Sequence, residues 1–258
     1  VRRPKLPLVA VNTTAGTGSE VTRFTIITDP GTSVKMLIAD PHLVAEVAID
    51  DPLLTVTCPP LVTASTGLDA LTHAIEAYTS TAYGPLTDLY ALEAIRLVVR
   101  NLTAAIHAPQ DLEPRSNMLL GSMYAGLAFS NAILGAVHAM AHSLGGFLDL
   151  PHGECNAILL EHVVAYNFCA IPERYRAVAA SLGRQTDALD HETLLRVLLA
   201  TLRDLRKAAG VTRTLSQLGV QAGDFRRLAT NAYEDACLVT NPRVATISDI
   251  ERIYEAAL

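Results

Sequence analysis

The chain has 258 residues, of which 50% are hydrophobic and 18% are charged, so it has enough apolar material for a sizeable core and does not resemble a disordered chain. With 20 Lys and Arg against 26 Asp and Glu, the net charge is −6, which argues against nucleic acid as the main partner. The cysteines form no Cys-x-x-Cys pair, so we expect reduced thiols and a cytoplasmic location; they are Cys58, Cys155, Cys169 and Cys237.

The first part of the chain, up to about Thr57, has the pattern of short strands and turns. Runs rich in β-branched residues predict strands at residues 8–11, 21–27, 34–38 and 44–49. After Pro59 and Pro60, long Ala/Leu segments take over, and their spacing predicts helices at about 61–80, 85–106, 112–132, 134–145, 153–167, 172–182, 191–209, 222–236 and 247–257. We therefore divide the chain into an α/β portion, residues 1–57, and an all-helical portion, residues 58–258.

One stretch of the helical portion is long and uncharged enough to be compared with a membrane span. No charged residue occurs between Arg115 and Asp149, and about 20 apolar residues can cross a bilayer. Serine, asparagine, histidine and glycine residues interrupt the stretch repeatedly, however. This pattern favours buried helices of a protein core over membrane insertion.

Histidines and one aspartate recur in the most apolar part of the chain. Asp69 and His73 are four residues apart, as are His138 and His142, so each pair shares one face of its helix, and His152 follows at the start of the next helix. Burying such groups is costly unless they are paired or bind a cation. Asp69, His73, His138 and His152 would supply three imidazoles and one carboxylate, a set that suits Fe(II), Zn(II), Co(II) or Mn(II), although hydrogen-bonded core residues are the alternative interpretation.

A second pattern is the glycine- and hydroxyl-rich turn that follows the first strand, from Thr13 to Glu20. Such a turn can bring backbone N–H groups close to a phosphate. It does not match Gly-x-Gly-x-x-Gly, because Val21 stands where the third glycine would be. A plain tight turn is the alternative.

Taken together, these motifs closely resemble the iron-containing (group III) alcohol dehydrogenase family. The resemblance covers residues 7–258 and is carried by the run Asn-Thr-Thr-Ala-Gly-Thr-Gly-Ser-Glu-Val-Thr at 12–22, Gly-Leu-Asp-Ala-Leu-Thr-His at 67–73, the array of His138, His142 and His152-Gly153, and Asn241-Pro242-Arg243. It implies an α/β remnant of a dinucleotide-binding domain followed by an all-α metal-binding domain, an architecture like that of dehydroquinate synthase. Family members carry a further segment before the position of Val1, with a glycine-rich loop for the pyrophosphate. We therefore expect this chain by itself to bind NAD(H) weakly, and to be less active or inactive.

The resemblance also implies roles for individual residues. According to the resemblance, the metal ligands are Asp69, His73, His138 and His152. His142 is a proton relay beside the nicotinamide. The residues that line the dinucleotide are Thr13, Thr14, Thr22, Phe24, Lys35 and Leu54. Glu76, near His73 on the helix, is expected either to support a ligand or to be a solvated or capping residue. Phe129 and Phe147 favour small or medium aliphatic substrates.

The function implied is hydride transfer between NAD or NADP and a small primary or secondary alcohol or aldehyde, with Fe(II) or Zn(II) as the metal. A homo-oligomer such as a dimer is expected, with neither nucleic acid nor membrane as partner. Two alternatives remain. One is a metal-dependent hydrolase that uses the same ligands to activate water. The other is a truncated, non-catalytic remnant that serves as an assembly partner.

Overall fold

Two short two-stranded sheets form the first part of the molecule. The structure, a computed structural model, describes residues 5–29 and 34–258. Strand β1 (Val9–Val11) pairs in parallel with β4 (Val47–Ile49), with Ala10 opposite Ala48. Strand β2 (Phe24–Asp29) pairs antiparallel with β3 (Val34–Ala39). All four predicted strands are present, but three start later than predicted: β1 begins at Val9, a 3-10 turn at Ser19–Val21 precedes β2, and β4 begins only at Val47.

The rest of the described chain is helical, as predicted. Its helices are α1 (Pro60–Thr79), α2 (Pro85–His107), α3 (Leu112–Ala132), α4 (Ala136–Leu148), α5 (His152–Asn167), α6 (Pro172–Ser181), α7 (His191–Ala208), α8 (Phe225–Tyr233) and α9 (Ile247–Ala257). Two predicted helices differ by three residues or more: α4 continues to Leu148 instead of ending at residue 145, and the predicted helix at 222–236 is a 3-10 turn at Ala222–Asp224 followed by the shorter α8. The fold class inferred from the sequence is confirmed. The domain boundary at residue 57 stays a prediction.

Helix α1 runs through the centre of the helical portion. It packs against α2, α3 and α5, and from Gly67 to Thr79 every residue is buried. A helix that is apolar on all sides has to be covered on all sides by other parts of the protein. A few polar side chains are nevertheless buried on this helix. Asp69, His73 and Glu76 lie within that buried run.

A sharp turn joins α3 to α4 and sets the direction of α4, the helix that carries His138 and His142. The two helices meet at 101°, and Ile133 at the end of α3 has φ 63°. A β-branched residue rarely adopts this left-handed region, because its Cβ crowds the backbone. Such strain is kept only where the surrounding packing imposes it, and Leu134, Gly135 and Ala136 directly after it are all buried.

The uncharged stretch considered above for membrane insertion corresponds to α3 and α4. Among the described residues no single helix is long and apolar enough to cross a membrane; these two reach the required length and composition only as a bent pair. Much of both helices is buried against the rest of the protein, in agreement with the predicted core helices.

Candidate metal centre

Helix α1 supplies the first two side chains of the site. Asp69 and His73 are one turn apart, and their side chains are only 5% and 6% exposed. The carboxylate Oδ1 lies 4.0 Å from His73 Nε2. A carboxylate placed this deep in an apolar helix bundle needs a compensating charge or several hydrogen bonds.

The start of α4 places the third side chain. The first free N–H groups of this helix are capped from other elements: Ala136 N donates to Asn241 Oδ1 (3.1 Å) and Val137 N donates to Glu76 Oε1 (2.7 Å). Gly135 is needed there, because a Cβ would lie 2.9 Å from the Glu76 carboxylate. His138 in the first turn is thereby fixed over α1.

The start of α5 positions the fourth side chain of the site. His152 is its first residue, and the next residue, Gly153, lies directly against the backbone of α1. A Cβ on Gly153 would come within 2.4 Å of the Ser65 carbonyl oxygen, so only glycine permits this approach. The close approach brings His152 Nε2 to 3.7 Å from Asp69 Oδ1.

These four side chains therefore meet at one oxygen atom. Asp69 Oδ1 lies 3.6 Å from His138 Nε2, besides the distances to His73 and His152 given above. The side chains of Asp69, His73 and His138 are almost completely buried, whereas that of His152 is 35% exposed. Three imidazole nitrogens and a carboxylate oxygen gathered in this way fit a divalent ion of intermediate softness, such as Fe(II) or Zn(II).

Electrostatics favours a donor set that is ready to bind a cation. Burial disfavours a charge on Asp69, but the surrounding imidazoles outweigh it and keep its pKa far below the usual range. Burial lowers the pKa of His73 to about 4 and that of His152 to about 3. Both rings are thus neutral at physiological pH, as a metal ligand must be.

His138 differs from the other two histidines because of Glu76. Oε2 of Glu76 lies 2.5 Å from His138 Nδ1, and the Glu76 side chain is 5% exposed. Burial opposes protonation of His138, but the carboxylates of Glu76 and Asp69 overcome it and raise its pKa to about 9. Of the two roles expected for Glu76, the structure supports contact with a site histidine, and the same carboxylate also caps α4.

Asn156 is a site residue that sequence reasoning missed. It is fully buried, and its Nδ2 lies 2.6 Å from Asp69 Oδ1 and 3.1 Å from Nε2 of both His138 and His152. The signal was available, since Asn156 is four residues after His152 and so lies on the same helix face. Its amide N–H orients the Asp69 carboxylate.

An aromatic stack connects the α/β portion to this centre. The ring of Phe24 in β2 stacks on Phe129 (6.1 Å between centroids), Phe129 on His73 (4.4 Å) and His73 on His138 (4.5 Å). Phe24 and Phe129 thus make an apolar wall beside the site, as expected for Phe129. Phe147, the other expected lining residue, lies under the guanidinium of Arg227.

His142 lies beside the four converging side chains. Its ring stacks on that of His152 with centroids 5.3 Å apart, and its Nδ1 is 2.9 Å from Asp235 Oδ2. Donor atoms of His142, Asp235 and Cys237 all lie within 4.8 Å of one another. Burial raises the pKa of the Cys237 thiol well above its usual value, which disfavours the thiolate that a metal would need, so we interpret this group as a hydrogen-bonded pair next to a thiol.

The residues expected to line the dinucleotide all belong to the α/β portion of the chain. Thr13 is exposed and Thr14 half-buried in the turn after β1, while Thr22 is buried two residues before Phe24, the first residue of β2. Leu54 is 42% exposed on a 3-10 turn at Pro52–Thr55. The side chain of Lys35 lies outside the described part of the structure.

Two family models together match most of the chain. Residues 63–258 match the model of the Fe-containing alcohol dehydrogenase family, C-terminal, and residues 1–52 match that of iron-containing alcohol dehydrogenase. The chain belongs to the iron-containing alcohol dehydrogenase family. It is 44% identical to 1,3-propanediol dehydrogenase of Citrobacter freundii over 98% of this chain and 66% of that protein. It is 41% identical to NAD-dependent methanol dehydrogenase of Bacillus methanolicus over 100% of this chain and 68% of that protein.

Solved structures of this family share the whole described architecture. A crystal structure of 1,3-propanediol oxidoreductase superposes with a TM-score of 0.97 at 43% identity, covering 100% of this chain and 68% of the other. Alcohol dehydrogenase from Oenococcus oeni superposes with a TM-score of 0.98 at 39% identity, covering 100% and 67%. The chain thus spans about two thirds of the length of the family members that it matches.

Proposed function

We propose that this member of the iron-containing family is the metal-binding part of an alcohol dehydrogenase that transfers hydride between a nicotinamide cofactor and a small primary or secondary alcohol or aldehyde. The observation that carries the proposal is the convergence of Nε2 of three histidines on the single Asp69 Oδ1, at a site where the side chains of Asp69, His73 and His138 are almost completely buried. Family membership makes a metal-assisted oxidoreductase the activity best supported by that convergence.

Asp69, His73, His138 and His152 would hold the metal, either Fe(II) or Zn(II). When bound, the ion supplies Lewis-acid polarisation of an alcohol or carbonyl oxygen. The side chains of the protein hold and orient the groups that would bind the metal. The surrounding histidines keep Asp69 ionised despite its burial, Glu76 and Asn156 hold their partners in place, and the low-polarity surroundings strengthen each of these interactions.

Side chains next to the metal centre would select and orient the substrate. The stacked rings of Phe24 and Phe129 leave an apolar wall that suits a short aliphatic chain. His142 lies close enough to His152 to take up the proton that leaves the alcohol oxygen. The names of the relatives, 1,3-propanediol and methanol dehydrogenase, support a substrate of this size.

For the dinucleotide, we propose the surface formed by Thr13, Thr14, Thr22, Phe24, Lys35 and Leu54. NAD is favoured over NADP because the methanol dehydrogenase relative is named as NAD-dependent. The homo-oligomeric state and the cytoplasmic location expected from the resemblance stay predictions.

The test measures metal content and hydride transfer on the same preparation. Protein purified without oxygen is loaded with Fe(II) or Zn(II), dialysed, and assayed for reduced nicotinamide formation with methanol, ethanol and 1,3-propanediol. Stoichiometric metal is expected, and alcohol-dependent reduction of NAD or NADP is expected to be slow for this chain by itself, in line with the weak NAD(H) binding inferred from its sequence. Metal-dependent ester hydrolysis without hydride transfer would support the hydrolase instead, and absence of bound metal would overturn the proposed centre.

A further inference from the structure

Asp235 reaches His142 from a distant part of the chain. The two residues are 93 positions apart, and Asp235 Oδ2 lies 2.9 Å from His142 Nδ1. Their side chains are 18% (His142) and 20% (Asp235) exposed, so the contact is largely shielded from water. Asp235 is also the N-cap of a 3-10 turn at Ala236–Thr240, where its other oxygen, Oδ1, accepts a hydrogen bond from Cys237 N (2.8 Å).

Both oxygens of this carboxylate are therefore engaged, and the group is held in one orientation. Burial disfavours its ionisation, but the hydrogen bonds from His142 and Cys237 prevail and lower the pKa of Asp235 to about 2. An ionised carboxylate only accepts hydrogen bonds. The atom of His142 that faces it, Nδ1, must therefore carry a hydrogen.

We propose that Asp235 is a positioning residue for His142: by accepting the Nδ1 hydrogen it fixes the imidazole tautomer in which Nε2 has a free lone pair. This inference rests on the proposed function, in which His142 receives the alcohol proton. Nδ1 and Nε2 lie on opposite sides of the ring, so a ring anchored at Asp235 through Nδ1 directs Nε2 away from it. The same logic governs the aspartate of serine-protease triads, which orients a histidine without taking its proton.

In the proposed reaction the alcohol loses one proton and one hydride. The alcohol O–H bond breaks as its proton forms a bond to His142 Nε2, and the alcohol C–H electron pair leaves with its hydrogen as hydride to an oxidised nicotinamide. The alcohol becomes an aldehyde or ketone and the nicotinamide is reduced. His142 becomes an imidazolium that the Asp235 carboxylate stabilises, until the Nε2 proton passes to solvent.

Asp235→Asn distinguishes positioning from a purely structural role. The Cys237 N–H needs an acceptor, so the amide oxygen stays with it and the amide NH₂ faces His142. An NH₂ group can only donate there, which forces Nδ1 to lose its hydrogen and Nε2 to carry it. The variant keeps the shape of the site but reverses the tautomer, so Nε2 can no longer accept a proton.

The experiment measures metal content, steady-state kinetics and the His142 tautomer in wild type, Asp235→Asn, His142→Ala and the double variant, the tautomer being read wherever His142 is present. We expect Asp235→Asn to retain full metal content, to lose about 10²–10⁴-fold in kcat with little change in KM, and to add no further loss in the His142→Ala background. The ¹⁵N NMR shifts of His142 in zinc-loaded protein should show the Nδ1–H tautomer in wild type and the Nε2–H tautomer in Asp235→Asn. Asp190→Asn, at the N-cap of α7 where Asp190 accepts from Thr193 N, is the matched control and should change neither activity nor tautomer.

An Nε2–H tautomer in the wild type, or equal losses from Asp235→Asn with and without His142, would overturn the proposal. The NMR readout needs no turnover. Zinc-dependent ester hydrolysis by the wild type without hydride transfer would therefore contradict the proposed function, while the His142 tautomer would still decide whether Asp235 orients the ring.

Discussion

Glu76 connects the start of α4 to the metal centre through His138. Its Oε2 lies 2.5 Å from His138 Nδ1 and its Oε1 accepts from Val137 N at 2.7 Å. One buried carboxylate thus caps a helix and fixes the ring orientation of a proposed ligand. Partners of this kind raise ligand basicity and set which nitrogen faces the metal.

Replacing this carboxylate by an amide should weaken the metal site. In Glu76→Gln the amide oxygen remains with Val137 N–H, and the amide NH₂ then forces the hydrogen of His138 onto Nε2, the atom that should bind the metal. We expect zinc affinity to fall about 10–100-fold, measured by competition with a chelator. Glu93→Gln, at an exposed ion pair with Arg96 on α2, is the control; an unchanged affinity in Glu76→Gln would contradict this role.

The two histidines of α4 should differ in what their loss removes. His138→Ala deletes a proposed ligand and should lose metal and activity together. His142→Ala should retain stoichiometric metal and lose about 10²–10⁴-fold in turnover. Metal analysis alongside steady-state kinetics separates the two effects. Full metal content in His138→Ala would count against the ligand assignment.

The contact between α1 and α5 should tolerate no side chain at Gly153. A Cβ there would lie 2.4 Å from Ser65 O, so Gly153→Ala must push α5 and His152 away from Asp69. We expect a loss of about 1–3 kcal/mol in stability together with a lower metal affinity, both followed by thermal unfolding with and without zinc. Gly146→Ala on α4, where a Cβ would have nothing within 4 Å, should be neutral or stabilising. Equal behaviour of the two variants would refute the packing argument.

Metal binding should depend on pH through His138 alone among the proposed histidine ligands. Its pKa is raised to about 9, while those of His73 and His152 are lowered to about 4 and 3. At neutral pH a metal ion that binds at Nε2 should therefore displace one proton from His138. Zinc affinity should rise about tenfold per pH unit between roughly pH 6 and pH 8 and level off above pH 9. Chelator competition corrected for the chelator's own protonation measures this slope, and a flat profile would exclude a protonated His138.

A carboxylate in place of Asn156 should make the fold more dependent on its metal. Asn156→Asp would place a second anionic oxygen beside Asp69 Oδ1, where the amide nitrogen now lies at 2.6 Å. Without metal we expect a cost of about 1–3 kcal/mol and a correspondingly lower Tm. With zinc, the Tm should recover more than in wild type. Asn131→Asp, at an exposed position on α3, controls for the added charge.

The sequence predicted the helices well and was sufficient to propose the ligands, because both signals are local. Pairs four residues apart, such as Asp69 and His73, identify a helix face without knowledge of the fold, and the long apolar periodicity of the chain after Pro60 leaves little choice of secondary structure. The residues that support these ligands gave a weaker signal. Asn156 could have been found by the same spacing from His152, and Glu76 was recognised only as one of two possibilities.

Asp235 could not have been predicted in the same way. Its local pattern is that of a capping residue before Ala236, and its contact with His142 exists only because α4 and the segment after α8 pack together. The aromatic stack has the same origin, because Phe24 in β2, Phe129 in α3 and His73 in α1 are far apart in the sequence and meet only in the folded chain. Long-range pairs of this kind are set by tertiary packing, which periodicity does not encode.

His152 has a consequence for the kinetics of metal exchange. It is a third open to solvent, whereas the side chains of Asp69, His73 and His138 are nearly inaccessible. We therefore expect an incoming chelator to displace His152 before the other three proposed ligands, and release of the ion to proceed by local fraying where α5 begins, without unfolding of the helical core. The lifetime of a bound ion should then depend mainly on His152, whereas the other three side chains should determine mainly how tightly the ion is held at equilibrium.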